Sequence, residues 1–316
     1  MWVESIPNFS EGQNLATLDH ILQAVSIEGV KVLGFEGDSD HNRSVLIIGG
    51  EGDRVVEALF RAIEMAVSTI DLTRQQGTHP RLGAVDVVPL VPLGQTPMSY
   101  AIDLARKLAE QVATQLKVPV YLYEQAATKP EHKNLADVRR GQFEGLTKRM
   151  KDDPPDFGGP MPHPTAGATV IGARWPLIAF NVFLNTSDLA VARAIAKAVR
   201  GSGGGLIGVK ALAMDTVQRG RVQVSMNLVD YPKTTLPQAV ELVRREAARW
   251  GVMLAYSELV GFLPAQAVED AMRYYLQIPD FDASHIVELA LAGEEFIPSQ
   301  GLSSKQRGAA RGDKNH

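Results

Sequence analysis

Apolar positions along this chain alternate between two periods. Trp2 to Phe9 reads as a strand, and Leu15, Leu18, Ile21, Leu22 and Val25 then recur at helical spacing. Lys31 to Phe35 and Ser44 to Ile48 read as strands on either side of the polar turn Gly37-Asp38-Ser39-Asp40-His41-Asn42-Arg43, which predicts a hairpin. Val56, Leu59, Ile63, Ala66 and Ile70 mark a second helix, and Leu82 to Val91 a fourth strand. Further helices are expected at Ser99 to Leu116 and Ala136 to Lys151, around a short strand at Val118 to Tyr123.

The run Pro154-Pro155-Asp156-Phe157-Gly158-Gly159-Pro160 breaks this pattern and marks a boundary. The same order then returns. Leu177 to Leu184 is a strand, Leu189, Ala192, Ile195 and Val199 a helix, and Leu206 to Met214 with Arg221 to Val229 a hairpin. Leu236, Val240, Val243, Ala247 and Trp250 mark a helix, and Val252 to Leu259 a closing strand. Pro264 opens another helix, and a last one is expected around Ala283 to Ala292. Strand-helix-strand-strand-helix-strand is the ferredoxin-like order. The expected fold is therefore α/β (α+β), with two duplicated ferredoxin-like βαββαβ subdomains over residues 1–157 and 168–298. Residues 299–316 are polar and aperiodic, and are expected to be disordered.

Each subdomain would carry helices on one sheet face. Packing the two bare faces against each other is the simple way to cover them. Gln223, Ser225 and Asn227 share one strand face, opposite Val222, Val224, Met226 and Leu228. Asn8 and Asn181 hold matching places in the two first strands. These polar residues either line a cleft between the sheets or face water.

Composition narrows the function. At 316 residues and 45% hydrophobic, the chain is long enough for two cores. A net charge of −4 argues against a dedicated nucleic-acid binder. The absence of cysteine excludes disulfides and thiolate metal sites. No apolar run is long enough to span a membrane, and the first residues lack the pattern of a signal peptide. A cytoplasmic protein is expected.

The candidate chemistry centres on Gly77-Thr78-His79-Pro80-Arg81-Leu82-Gly83. Proline stiffens the loop and pushes His79 toward an extended conformation ahead of an apolar strand. Histidine is the commonest acid/base near neutral pH, although a lone loop histidine is often only bonded to backbone. Asp86 in that strand needs a partner. It either orients an imidazole or binds an arginine such as Arg81, in a catalytic or purely structural pair. The 38–43 turn holds two carboxylates, a histidine and an arginine, yet it has one histidine only and the chain has no HExxH, so no metal site is expected. Gly201-Ser202-Gly203-Gly204-Gly205 follows a helix and precedes a strand, the wrong order for a phosphate loop. His163-Pro164-Thr165-Ala166-Gly167-Ala168 repeats the HPxxGA pattern of residues 79–84 and lies at the subdomain junction, where ligands often bind.

Several ordered stretches together resemble the glutamate formimidoyltransferase family, the formiminotransferase unit that also occurs fused to a cyclodeaminase. They are Val3 to Gly12, Asp38 to Arg43, Gly77 to Asp86, Gly167 to Arg174, Gln223 to Leu228 and Ser257 to Gly261. The resemblance runs from Trp2 to about Leu291. It implies a homodimer that transfers a formimidoyl group between N-formimidoyl-L-glutamate and tetrahydrofolate, a co-substrate, in histidine breakdown. It puts the catalytic histidine on His79 and the folate-binding stretch on Gly158, Gly159, Pro160, Met161, Pro162, His163, Pro164, Thr165, Ala166 and Gly167. In the fused enzyme that stretch lacks a histidine, so His163 departs from that form. Asn8, Asp40, Arg43, Arg81, Arg174 and Asn227 are further candidates for holding the substrates, the arginines because glutamate and folate both carry carboxylates. A formyl donor in place of the formimidoyl one, or a non-catalytic folate-binding role, are the alternatives.

Overall fold

The computed structural model describes residues 1–77, 80–216 and 220–292, with backbone alone at 291 and 292. The expectations for His79 and for the tail at 299–316 lie outside the described residues. The chain divides into two compact units, Met1–Trp175 and Pro176–His316.

In the first unit the expected opening strand is interrupted, as β1 (Trp2–Ser5) and β2 (Asn8–Phe9). Pro7 between them has no N–H to give a ladder, though its carbonyl still accepts from the Leu46 N–H at 3.1 Å. There follow α1 (Leu15–Val25), β3 (Val30–Asp38), β4 (Arg43–Glu51), α2 (Gly52–Thr69) and β5 (Val85–Pro92). Asn14 caps α1, its side chain accepting from the Ala16 and Thr17 N–H groups. α3 (Met98–Gln115), β6 (Val120–Glu124), α4 (Leu135–Val138), α5 (Gln142–Asp152) and β7 (Thr169–Ala173) complete the unit.

β3, β4, the β1/β2 pair and β5 lie side by side and antiparallel, in the ferredoxin-like order. β7 and then β6 extend the sheet beyond β5, in parallel. Residues 169–173, expected at the start of the second subdomain, therefore belong to the first sheet. The reason is physical. β7 has neighbours on both sides and is buried on both faces, so it needs a short unbroken apolar run, which periodicity alone does not assign to either half. The helix expected over 136–151 is likewise two, because Gly141 takes a left-handed conformation (φ 89°) between α4 and α5.

The main core lies under α1, α2 and α3 and includes Ile21, Leu46, Ile48, Leu59, Ile63, Val88, Leu90 and Leu108. A smaller core on the other face of the extension holds Val87, Tyr121, Val138, Leu146, Met150 and Val170. The segment crossing from β6 to β7 carries α4 and α5 and supplies that cover.

The second unit comprises β8 (Ile178–Leu184), α6 (Leu189–Val199), β9 (Val209–Thr216), β10 (Arg221–Leu228), α7 (Leu236–Ala248), β11 (Leu254–Val260), α8 (Ala265–Leu276) and α9 (Val287–Ala292). Its sheet order is β11-β8-β10-β9 with antiparallel pairs, again ferredoxin-like. Val182, Leu184, Ile195, Val224, Met226 and Val243 form its core. Asn181, on the strand face opposite Val182, is buried and donates to Glu258 Oε2 at 3.1 Å. No helix among the described residues is long and apolar enough to cross a membrane.

Candidate active site

A β-bulge organises the first unit's polar residues. Phe9 pairs with Val85 and Asn8 with Val87, which leaves Asp86 as the extra residue of β5. A bulge re-aims the side chain it carries. Asp86 is 2% exposed. Its Oδ1 accepts from the Leu82 N–H at 2.8 Å, and its Oδ2 pairs with the Arg139 guanidinium at the end of α4. The sequence pointed to Arg81 as an arginine partner. Arg81 instead donates to the Gln75 carbonyl at 3.1 Å and to Glu144 Oε1 at 3.0 Å. Arg139 lies 53 positions from Asp86, and no local pattern marks it.

Arg43 opens β4, directly opposite Asp38 in the ladder. Asp38 is nonetheless engaged in its own turn. It accepts from the Asp40 and His41 N–H groups at 3.0 and 2.9 Å and meets His41 Nδ1 at 2.6 Å. The His41 N–H leads the donors that hold the Asp38 carboxyl below its ordinary value. The Arg43 side chain is left half-buried, with no hydrogen bond or ion pair to any described residue. Burial, and then the like charge of Arg139, pull its pKa below the usual value, against the attraction of Asp86, Asp38 and Glu36.

The segments on either side of residues 78 and 79 are firmly held. Asn42, buried and with φ 49°, donates to the Gln76 carbonyl at 2.8 Å and accepts from the Gly12 N–H at 2.9 Å. Gln75 donates back to the Asn42 carbonyl at 3.0 Å. Beyond the loop, Ser10 Oγ donates to the Gly83 carbonyl at 2.7 Å and the Ser10 N–H to the Ala84 carbonyl at 2.9 Å.

The 158–167 segment docks on that same region. The Ala84 N–H donates to the Ala166 carbonyl at 3.0 Å, the Leu72 N–H to the Thr165 carbonyl at 2.9 Å, and Gly83 bridges Gly167. His163 and Gly167 exchange backbone hydrogen bonds of 2.8 and 3.0 Å. The Ala166 N–H donates to His163 Nδ1 at 3.0 Å, which leaves the ring proton on Nε2. Burial lowers the His163 pKa and favours that neutral form. The approach to the segment is anchored by His132, which is buried edge-on against Tyr121 and meets Asp153 Oδ2 at 2.9 Å. Burial opposes its charge, but hydrogen bonds to Asp156 and Asp153 outweigh this and raise its pKa.

Of the other residues expected at the site, Asn8 sits beside the bulge, 9% exposed, with its Nδ2 donating to the Ile6 carbonyl at 3.0 Å. Asp40 is exposed in the 38–43 turn, and Met161 is exposed in the 158–167 segment. Asn227 lies in the second unit, exposed on β10. Arg139 and Glu4 were not foreseen. Glu4 shares the sheet face of Asn8, where burial raises its pKa against the pull of Arg174. No metal-binding cluster of His, Asp or Glu occurs among the described residues.

These features define a two-unit α+β protein whose first sheet carries two arginines, Arg43 and Arg139, beside a bulge. Residues 2–174 match the formiminotransferase domain, N-terminal subdomain, and residues 179–302 the formiminotransferase domain. The chain is 45% identical to a glutamate formimidoyltransferase of Streptococcus pyogenes, over 89% of this chain and 95% of that one. It is equally 45% identical to one of Thermoplasma acidophilum, over 90% and 96%. A formimidoyltransferase-cyclodeaminase of Rattus norvegicus is 37% identical over 86% of this chain and 52% of its own. The chain belongs to the formiminotransferase family, a family of transferases.

Proposed function

We propose that the protein is a glutamate formimidoyltransferase of histidine breakdown. It moves the formimidoyl group between N-formimidoyl-L-glutamate and tetrahydrofolate, as a homodimer in the cytoplasm. The observation that carries this reading is the likeness to two glutamate formimidoyltransferases along nearly the whole length of all three chains.

In the reaction, a folate amine attacks the amidine carbon and a tetrahedral intermediate forms. The attacking nitrogen loses a proton, the glutamate nitrogen gains one, and the bond between that nitrogen and the carbon breaks. We assign both proton transfers to His79, because one histidine near neutral pKa can take and return the same proton. Gln76 and Leu82, on either side of it in the chain, are each held by a hydrogen bond. Arg43, half-buried and without an ion pair among the described residues, suits a carboxylate. Gly158 to Gly167 are assigned to folate, with Asn8, Asp40, Arg81 and Asn227 as further contacts.

The test mixes purified protein with tetrahydrofolate and N-formimidoyl-L-glutamate and follows the folate absorbance, with N-formyl-L-glutamate as a parallel donor. Transfer from the formimidoyl donor is expected. Transfer from the formyl donor alone changes the substrate, and tight folate binding with no transfer from either overturns the catalytic reading.

A further inference from the structure

The pairing around the β5 bulge leaves one guanidinium, that of Arg43, without an ion pair among the described residues. Two guanidiniums, Arg43 and Arg139, act on each other, and Asp86 makes an ion pair with one of them only. The carboxylate opposite Arg43 in the ladder, Asp38, is held by its own turn and by His41. Arg139 Nε is buried and has no partner among the described residues. A buried donor without an acceptor is costly, and a half-buried guanidinium with no hydrogen-bonded partner leaves its own donors free. An anion supplied from outside would satisfy both.

We infer that Arg139 and Arg43 form a clamp for the carboxylate of a glutamyl group, with Asp86 as the positioning residue that holds Arg139. Asp86 is placed for this by the bulge. The Leu82 N–H fixes one of its oxygens, so the other is presented to Arg139 in a set direction. A planar guanidinium fits a carboxylate edge with paired hydrogen bonds.

The glutamyl carboxylate has two possible sources under the transferase reading on which this rests: the amino acid, or the tail of folate. Equilibrium titration of the whole protein with L-glutamate and with tetrahydrofolate separates them, and needs no turnover. Arg139→Gln is expected to weaken L-glutamate binding by about tenfold or more, the usual scale for a charge-assisted hydrogen bond, with tetrahydrofolate affinity unchanged. The opposite pattern keeps the clamp and assigns it to the folate tail. Unchanged affinity for both, or a wild type that binds neither, overturns it. Should Arg139→Gln fail to fold because Asp86 is left unpaired, Arg43→Gln carries the same test, since no ion pair is broken there.

Asp86→Asn is expected to weaken binding in the same direction, and Arg139→Lys to restore part of it. In turnover, loss of the clamp raises KM for the donor more than it lowers kcat, whereas misfolding lowers kcat alone. Arginine-dependent glutamate binding by a wild type that transfers nothing would leave the clamp standing and remove the transferase reading.

Discussion

Gly83 and Gly167, the glycines of the two HPxxGA stretches, face each other in an antiparallel bridge. They hold the same place in each stretch, four residues after His79 and His163. The approach leaves no space for a side chain. A Cβ on Gly83 would come within 2.1 Å of the Ala168 carbonyl oxygen, and one on Gly167 within 2.4 Å of the Leu82 carbonyl oxygen.

Gly83→Ala and Gly167→Ala are accordingly expected to destabilise the first unit by about 3 kcal/mol each, the second through its positive φ of 68° as well. Gly159, with open space around its Cα, is the control, and Ala there should stay within about 0.5 kcal/mol. Thermal melts of the three variants provide the check. Equal melting temperatures would mean that the close approach is not maintained in solution.

Asn42 joins three segments through its side chain and carbonyl. Asn42→Ala leaves the buried Gly12 N–H without an acceptor, at a cost of about 1–3 kcal/mol. It also frees Gln76, so turnover is expected to fall further than stability explains. Denaturant unfolding and initial rates, measured on the same preparation, separate the two effects.

His79→Ala is expected to lower kcat about 10²–10⁴-fold, the usual contribution of a general acid/base, while tetrahydrofolate still binds. Free imidazole should restore part of the rate. A variant that turns over like the wild type would take the proton transfers away from His79.

His132 sets a pH dependence of stability. Its folded-state pKa lies above the ordinary 6.5, so its contribution is present in full below that value and is lost as pH rises through the folded pKa. The gap in melting temperature between wild type and His132→Asn should be widest below pH 6.5 and close on the alkaline side. His163 has the opposite sign. Burial depresses its pKa, so its contribution is present above 6.5 and lost as pH falls. Asn at 163 offers the Ala166 N–H a similar acceptor and should flatten that acid-side loss. Melting curves across pH that move in parallel for all three proteins would contradict both assignments.

Much of this protein was legible along the chain, because side-chain period is a local property. A spacing near 3.6 residues, or alternation in twos, reports which face of an element is apolar without reference to the rest of the molecule. That yielded the ferredoxin-like strand and helix order of each unit, though not β7, together with the hairpin closed by Asp38 to Arg43 and the likeness of the two HPxxGA stretches. Tertiary structure alone decided which elements became neighbours. It put β7 between β5 and β6, set Gly83 against Gly167, interrupted the 136–151 helix at Gly141 and brought Arg139 to Asp86. A strand's own residues do not name its partner. A bulge depends on the register of two strands, and an ion pair across 53 positions depends on where a helix ends.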